Sequence, residues 1–170
     1  MKRLQSYILF ILLLLATVLP AHGHISRNMF MISNLNTDNG LSSSRVYSIV
    51  EAEDGAMWIS TKRGVDRYNG QLVSNYTLAT EMQYSDASGR NIKLTQDHHR
   101  QIYAYDNKGK VYIYNKVKDT FVLRCNLLNI LGGSIVLNEL LVDEKGNFWL
   151  AMDKGLYCLS ASADGKEIVR

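Results

Sequence analysis

Short apolar segments recur along the chain at intervals of about 45 residues. They are four to six residues long and rich in Trp, Tyr, Phe, Ile and Val, which favours β-strands and is too short for a typical helix. Three of them align without gaps from an aromatic anchor to a glycine six positions later. The anchors and their glycines are Trp58 and Gly64, Tyr103 and Gly109, and Trp149 and Gly155. This spacing predicts an internal structural repeat.

The residues around each of these glycines predict an antiparallel hairpin. A glycine that closes a three-residue connection is typical of a turn with positive φ, where a side chain with a Cβ costs energy. First strands are predicted at residues 46–51, 91–96 and 139–142, and third strands at 65–68, 110–114 and 156–159. The pair Asn69-Gly70 predicts a tight turn into a fourth strand at residues 71–77.

Four antiparallel strands in about 45 residues are typical of one blade of a β-propeller. The sequence therefore predicts an all-β fold of three four-stranded antiparallel propeller blades, which form an incomplete ring. Leucine-rich and helical repeats are excluded, because no apolar period of 3.6 residues runs through the units and hairpin glycines stand where helices would have to run.

The N-terminal segment departs from this repeat. Lys2 and Arg3 precede an uninterrupted apolar run over residues 7–19, and the small residues Ala21 and Gly23 follow. This order is typical of a secretory signal peptide, here with cleavage after Gly23. An uncleaved membrane anchor is the alternative, although the run is shorter than the roughly 20 residues that a spanning helix needs. We expect export, to the periplasm if the source is a two-membraned bacterium.

Composition and charge add little chemistry to this picture. The chain is 46% hydrophobic and 21% charged, and Lys2 and Arg3 supply two of its net three positive charges. This balance does not favour a nucleic-acid or membrane-surface binder. Cys125 and Cys158 belong to no Cys-x-x-Cys pair and have no histidine nearby, so a zinc or redox site has no support and no cofactor is predicted. We expect both to be buried small hydrophobic residues, and the sequence leaves their pairing open.

The motif of the first unit resembles a known family. It opens with Gly40-Leu41-Ser42, places Asp54-Gly55 before Trp58, closes that strand at Thr61, and continues through Gly64 to Arg67-Tyr68. The pattern resembles the two-component regulator propeller repeat, found in the periplasmic part of hybrid sensor histidine kinases. The third unit matches well around Trp149, whereas the second is degenerate, with Tyr103 for tryptophan and His99-Arg100 where Asp-Gly would stand.

This resemblance covers roughly residues 29–160 and implies an organisation for the whole chain. We expect a signal peptide at 1–23, a lead-in at 24–40 with a ring-closing strand at 29–32, and blade 1 at 41–78. A linking segment and blade 2 occupy 79–125, and a truncated blade 3 occupies 126–170. The family's transmembrane, kinase and DNA-binding domains are not in this sequence, so we expect an incomplete copy of a longer sensor.

The resemblance also implies a function. It implies a periplasmic sensory module without enzymatic activity of its own, which responds to oligosaccharides. Its partners would be the missing blades and signalling domains of the parent protein, through which alone it would reach the membrane; no nucleic acid is expected to bind this chain. A free-standing exported propeller for protein–protein interaction stays open as an alternative. A propeller lyase or glycosidase fragment is less favoured, because no paired carboxylates stand out.

Few residues qualify as candidate ligands or catalysts. The repeated anchors are interpreted as packing between blades, so the ligand candidates are Tyr76 and Tyr84, in or beside the segment that links the first two blades. His98-His99 is interpreted as a solvated turn, since no further metal ligand has suitable spacing. Residues 143–147 lack the alternating acidic ligands of a calcium loop, and the acceptor motif Asn75-Tyr76-Thr77 is interpreted as chance.

Overall fold

The computed structural model of the chain describes residues 32–78, 91–161 and 168–169. The chain divides into two compact units, residues 1–33 and residues 34–170, and the second unit contains the sheets. The predicted signal peptide, most of the predicted ring-closing strand and Tyr84 lie outside the described residues.

The described strands form three four-stranded antiparallel sheets, in each of which strands adjacent in sequence are adjacent in space. Blade 1 contains β1 (Val46–Glu51), β2 (Met57–Thr61), β3 (Gly64–Tyr68) and β4 (Val73–Tyr76). Blade 2 contains β5 (Ile92–Gln96), β6 (Ile102–Asp106), β7 (Lys110–Asn115) and β8 (Thr120–Asn126). Blade 3 contains β9 (Leu137–Val142), β10 (Phe148–Met152), β11 (Gly155–Ala161) and β12 (Ile168–Val169). The predicted all-β fold of three propeller blades is thereby confirmed.

Among the described residues, two short helices accompany the sheets, and the sequence pattern predicted neither. A single 3-10 turn spans Thr37–Asn39, and helix α1 spans Leu127–Leu131 between blades 2 and 3. The side chain of Asn126 caps α1 by accepting a hydrogen bond from the backbone N–H of Leu128. A helix of five residues is too short to display an apolar period, which is why the pattern did not reveal it.

The same turn joins the first two strands of every blade. Its closing hydrogen bonds run from the N–H of Gly55 to the carbonyl of Ala52 (3.1 Å), from Arg100 to Asp97 (3.0 Å) and from Gly146 to Asp143 (2.9 Å). The last residue of each turn, two positions before the second strand of the blade, has positive φ: 76° at Gly55, 60° at Arg100 and 79° at Gly146. The degenerate second unit therefore keeps the turn of the other two, with an arginine in a conformation that favours glycine.

We expect Arg100→Gly to raise the free energy of unfolding by about 0.5–1 kcal/mol. A residue with a Cβ pays roughly 1–2 kcal/mol in the left-handed region, and the greater freedom of glycine in the unfolded chain offsets part of the gain. Denaturant unfolding measures the change. The reverse change Gly146→Arg serves as the control and should lower stability, whereas a loss of stability in Arg100→Gly would contradict the assignment of this turn.

The core lies between the blades, in two apolar clusters. The first junction joins blades 1 and 2 and contains Trp58, Val65, Leu78, Ile92, Leu94, Ile102, Ala104, Tyr112 and Phe121. The second junction joins blades 2 and 3 and contains Tyr103, Tyr105, Val111, Leu127, Leu137, Leu140, Val142, Phe148, Leu150 and Leu159. Strand β6 is buried along its whole length, because alternate residues enter the two junctions.

Candidate functional site

The aromatic anchors occupy equivalent positions on β2, β6 and β10 but have different surroundings. Trp58 is 1% exposed in the first junction, and Tyr103 is 8% exposed in the second. The ring of Trp58 lies 4.5 Å from that of Tyr114 and 5.5 Å from that of Phe121, both on blade 2. Trp149 departs from the predicted packing between blades: it is 40% exposed, since no described residue covers this face of blade 3.

Tyr76, the ligand candidate that the structure describes, lies on β4 and contacts blade 2. Its hydroxyl donates a hydrogen bond to Oδ1 of Asp119 (2.8 Å), and the hydroxyl of Tyr114 donates to the same oxygen (2.6 Å). We call Tyr76, Tyr114 and Asp119 the tyrosine–aspartate clasp. Because Tyr76 belongs to blade 1 and the other two belong to blade 2, the clasp ties the two blades together.

The electrostatics of the clasp favour neutral tyrosines around a charged carboxylate. Burial, together with the hydrogen bond to Asp119, raises the pKa of Tyr76 and of Tyr114. The hydrogen bonds from Tyr114 and Tyr76 lower the pKa of Asp119. The tyrosines are therefore hydrogen-bond donors at neutral pH and are unsuited to act as bases.

A cation lies beside the clasp on the same junction. The guanidinium carbon of Arg67 is 5.9 Å from the centre of the Trp58 ring, which permits a cation–π contact. Arg67 also forms an ion pair with Asp54, in the turn between β1 and β2. The clasp, Arg67 and Asp54 thus form an edge of the first junction where aromatic rings, hydroxyls and charges lie together, and we take this edge as the candidate functional site.

A carboxylate bridges the second junction as well. Glu139 on β9 accepts hydrogen bonds from the hydroxyl of Tyr105 and from Nζ of Lys93, the latter at 2.9 Å. Lys93 also donates to the carbonyl of Asn138 (2.8 Å). Both donors belong to blade 2 and the acceptors to blade 3, so each junction combines an apolar centre with a polar link between blades.

The other candidates that the sequence suggested have local partners. Oδ1 of Asp97 accepts the N–H of His99 (2.9 Å) in an exposed turn. Hydrogen bonds from Asn147 and Trp149 lower the pKa of Asp143 to about 2. The partners of this carboxylate therefore lie in its own turn and in the strand that follows. Nδ2 of Asn75 donates to Oδ1 of Asp66 (2.8 Å). In the part of the chain that the structure describes, no group of three or more His, Cys, Asp or Glu residues could hold a metal ion.

The opening motif of blade 1 is a buried polar network. Leu41 is buried, and both the N–H and the hydroxyl of Ser42 donate to Oδ2 of Asp66, at 2.8 and 2.9 Å. The hydroxyls of Ser42 and Thr61 are 2.7 Å apart, and Asp66 has no exposed surface. A buried carboxylate needs such donors, because an unpaired one would be costly. Ser42 therefore joins the opening motif both to Asp66 and to Thr61, the threonine that closes β2, and the sequence did not suggest a role for Asp66.

Residues 40–63, which include this opening, the turn and strand β2, match the family model described as two component regulator propeller. The chain carries a two-component regulator propeller repeat. The resemblance predicted from Gly40-Leu41-Ser42, Trp58 and Thr61 is thereby confirmed. No curated protein matches the chain.

The regulator propeller repeat lies in a fold shared with solved extracellular domains from B. thetaiotaomicron. One is that of the candidate hybrid two component system BT3049, with 16% identity, a TM-score of 0.61, and coverage of 84% of this chain and 20% of that one. Another is that of the candidate hybrid two component system BT4673, with 20% identity, a TM-score of 0.58, and coverage of 75% and 17%. At these identities the likeness shows the fold. The chain spans a fifth or less of the length of these domains.

The two cysteines correct one prediction. Both were expected to be buried, but Cys158 on β11 is exposed and Cys125 on β8 is only half-buried. Both thiols are free. Burial raises the pKa of Cys125 to about 11, which lowers its reactivity. Cys158 is the more exposed thiol. The prediction failed for Cys158 because its face of β11 has no described neighbour, which a residue-type preference cannot reveal.

No helix among the described residues is long and apolar enough to cross a membrane.

Proposed function

We propose that this chain is part of a periplasmic sensor propeller of a hybrid two-component system and that its ligand is an oligosaccharide. The match of residues 40–63 to the two component regulator propeller carries the proposal. It is supported by the likeness in fold to extracellular domains of candidate hybrid two component systems. In this proposal the chain binds and transmits, and it performs no chemistry.

The candidate site at the first junction has groups that suit a sugar. Carbohydrates are bound by aromatic rings that stack on them and by polar groups that pair with their hydroxyls. Tyr76 is half-buried and lies beside the exposed carboxylate of Asp119. Tyr84 follows β4 in the linking segment and is the second residue that we propose for ligand contact. Binding here would act on the clasp directly, since Tyr76 holds blade 1 to blade 2.

The proposal is tested by calorimetric titration of the full chain with a panel of oligosaccharides. We expect at least one glycan to bind, and Tyr84→Ala to weaken that binding about tenfold through the loss of a stacked ring. Tyr68→Ala is the matched control and should leave the affinity unchanged, because Tyr68 lies on β3 and donates its hydroxyl to the carbonyl of Gly70, within its own turn. If no glycan gives a heat of binding at millimolar concentration, oligosaccharides are refuted as the ligand class. Turnover of a glycan would show that the protein is an enzyme and would contradict the proposal.

An exported propeller for protein–protein interaction is the second candidate. The observation that favours it is the apolar surface on blade 3, where Leu141, Trp149 and Leu156 are 56%, 40% and 68% exposed. Exposed apolar patches of this kind mark interaction surfaces. The nucleotide sequence after codon 170 separates the two candidates, since a kinase domain encoded in frame supports the sensor and its absence supports the interaction protein.

A further inference from the structure

The chain has two asparagine–glycine pairs, Asn39-Gly40 and Asn69-Gly70. The backbone nitrogen of the residue after an asparagine is able to attack the carbonyl carbon of the asparagine side chain, and the product is a five-membered succinimide ring. Glycine in the second position favours this attack, because it has no Cβ to hinder the close approach of the backbone. The two pairs therefore have the same intrinsic chemistry, and their surroundings decide which of them reacts.

The turn between β3 and β4 activates the side-chain carbonyl of Asn69. Oδ1 of Asn69 accepts two hydrogen bonds, from the N–H of Gln71 (3.0 Å) and from the N–H of Leu72 (2.8 Å). A negative charge develops on this oxygen when its carbon is attacked, so two N–H groups directed at it stabilise the transition state as an oxyanion hole does in an enzyme. Asn69 is therefore polarised towards attack.

The attacking nitrogen in this turn belongs to Gly70 and is free. Among the described residues, none accepts a hydrogen bond from the N–H of Gly70. The carbonyl of Gly70 accepts the hydroxyl of Tyr68 (2.8 Å), which holds the peptide in place. Both Asn69 and Gly70 are exposed, and a Cβ on Gly70 would meet nothing within 4 Å, so water has access to the site. The turn thus combines an activated carbonyl with an available nucleophile.

The surroundings of Asn39-Gly40 have the opposite effect. The N–H of Gly40 donates to the carbonyl of Thr37 (3.2 Å), so the attacking nitrogen is already engaged. Oδ1 of Asn39 accepts one hydrogen bond, from the N–H of Asn36 at 3.3 Å, as part of the capping box of the 3-10 turn. An attack at this pair would have to break the turn first, and it would have one donor for the oxyanion instead of two.

We infer that Asn69 is a site of spontaneous deamidation and that the fold protects Asn39 from the same reaction. The nitrogen of Gly70 forms a bond to Cγ of Asn69, the side-chain nitrogen leaves, and the proton of the Gly70 N–H departs with it as ammonia. Water then opens the succinimide at either of its carbonyls and yields aspartate or isoaspartate. Water is the single co-reactant, and nothing is oxidised or reduced. The inference depends neither on the proposed ligand nor on any sequence outside this chain.

The modification would act on the outermost strand of blade 1. Both products place a negative charge at position 69, and isoaspartate also lengthens the backbone of the turn by one methylene group. The turn sets the register in which Tyr68 pairs with Val73. Strand β4 provides Asn75 to the buried network of blade 1 and Tyr76 to the tyrosine–aspartate clasp. Isoaspartate at position 69 is therefore expected to loosen β4 and to weaken these two contacts.

Incubation of the purified full chain at mildly alkaline pH, with peptide mapping by mass spectrometry at intervals, tests the inference. A protein isoaspartate methyltransferase identifies the isoaspartyl product. We expect Asn69 in the folded chain to deamidate about tenfold faster than Asn39 or more, because its oxyanion has the additional donor and its nucleophile is free. In denaturant the two rates should become similar, since glycine follows both residues, and Asn69 should react no faster there than in the folded chain.

Two matched variants assign the reaction to its site. Asn69→Ser should abolish the fast mass change of the folded chain, whereas Asn39→Ser should leave it unchanged. Equal rates at Asn69 and Asn39 in the folded chain would overturn the inference. A rate at Asn69 that is lower in the folded chain than in denaturant would overturn it as well, because it would show that the two hydrogen bonds hold the side chain away from the nitrogen of Gly70.

Discussion

Replacement of Trp58 with alanine is expected to lower the free energy of unfolding by about 3–5 kcal/mol. Trp58 is 1% exposed, and its ring contacts those of Tyr76, Tyr114 and Phe121 at centroid distances of 5.0, 4.5 and 5.5 Å. Its removal would leave a cavity at the centre of the first junction and would remove the ring that packs against Tyr76 and Tyr114 of the tyrosine–aspartate clasp. Denaturant unfolding measures the loss.

Trp149→Ala is the matched control, because Trp149 holds the same repeat position in blade 3. It is 40% exposed, so in dilute monomeric protein its removal should cost less than about 1 kcal/mol. The contrast between the two variants isolates the contribution of the neighbouring blade. Equal losses would contradict the assignment of the first junction as the core of this part of the chain.

The repeat itself could be predicted from the sequence because its determinants are local. Strand-forming residues, a hairpin glycine and a fixed spacing are all visible within 45 residues, and β1 has the bounds that the pattern predicted. The turn of the second unit shows the limit of such reasoning. Arg100 stands where the other units have glycine, yet it takes a φ of 60°, because the strands on both sides impose the turn.

Features that depend on a neighbouring blade could not be predicted. Trp58 and Trp149 are the same residue at the same repeat position, and only the presence of blade 2 buries the first. The exposure of Cys158 has the same origin. Residue type and repeat period predict the strands within one blade, whereas the burial of a side chain in a propeller also depends on the neighbouring blade.

The candidate site was predictable only in part, for a related reason. The sequence singled out Tyr76 as an aromatic residue outside the repeat pattern, but its partner Asp119 is 43 residues away in another blade. A contact at that distance leaves no local signal. Asp66 was missed in the same way, since its donors Ser42 and Asn75 approach from the segment before β1 and from the outermost strand of blade 1.

We expect Gly109→Ala to lower the free energy of unfolding by about 2–4 kcal/mol. Gly109 has a φ of 87°, where a Cβ costs roughly 1–2 kcal/mol. A Cβ there would also lie 2.4 Å from Cδ1 of Ile135 and 3.0 Å from Cβ of Leu127, which is fully buried. Overpacking of this kind typically costs a further 1–3 kcal/mol. The backbone has little freedom to move away, because the carbonyl of Gly109 accepts the N–H of Leu127 at 2.8 Å.

Gly70→Ala separates the two contributions, because Gly70 has a similar φ of 95° and a Cβ there meets nothing within 4 Å. It should lose only the conformational part, about 1–2 kcal/mol. The steric part belongs to a specific contact, so it should shrink when Ile135 is replaced with alanine and the nearest atom is removed. A double-mutant cycle of Gly109→Ala with Ile135→Ala measures that coupling by denaturant unfolding. Strictly additive losses would mean that Ile135 moves aside at no cost and that only the backbone of this hairpin requires glycine.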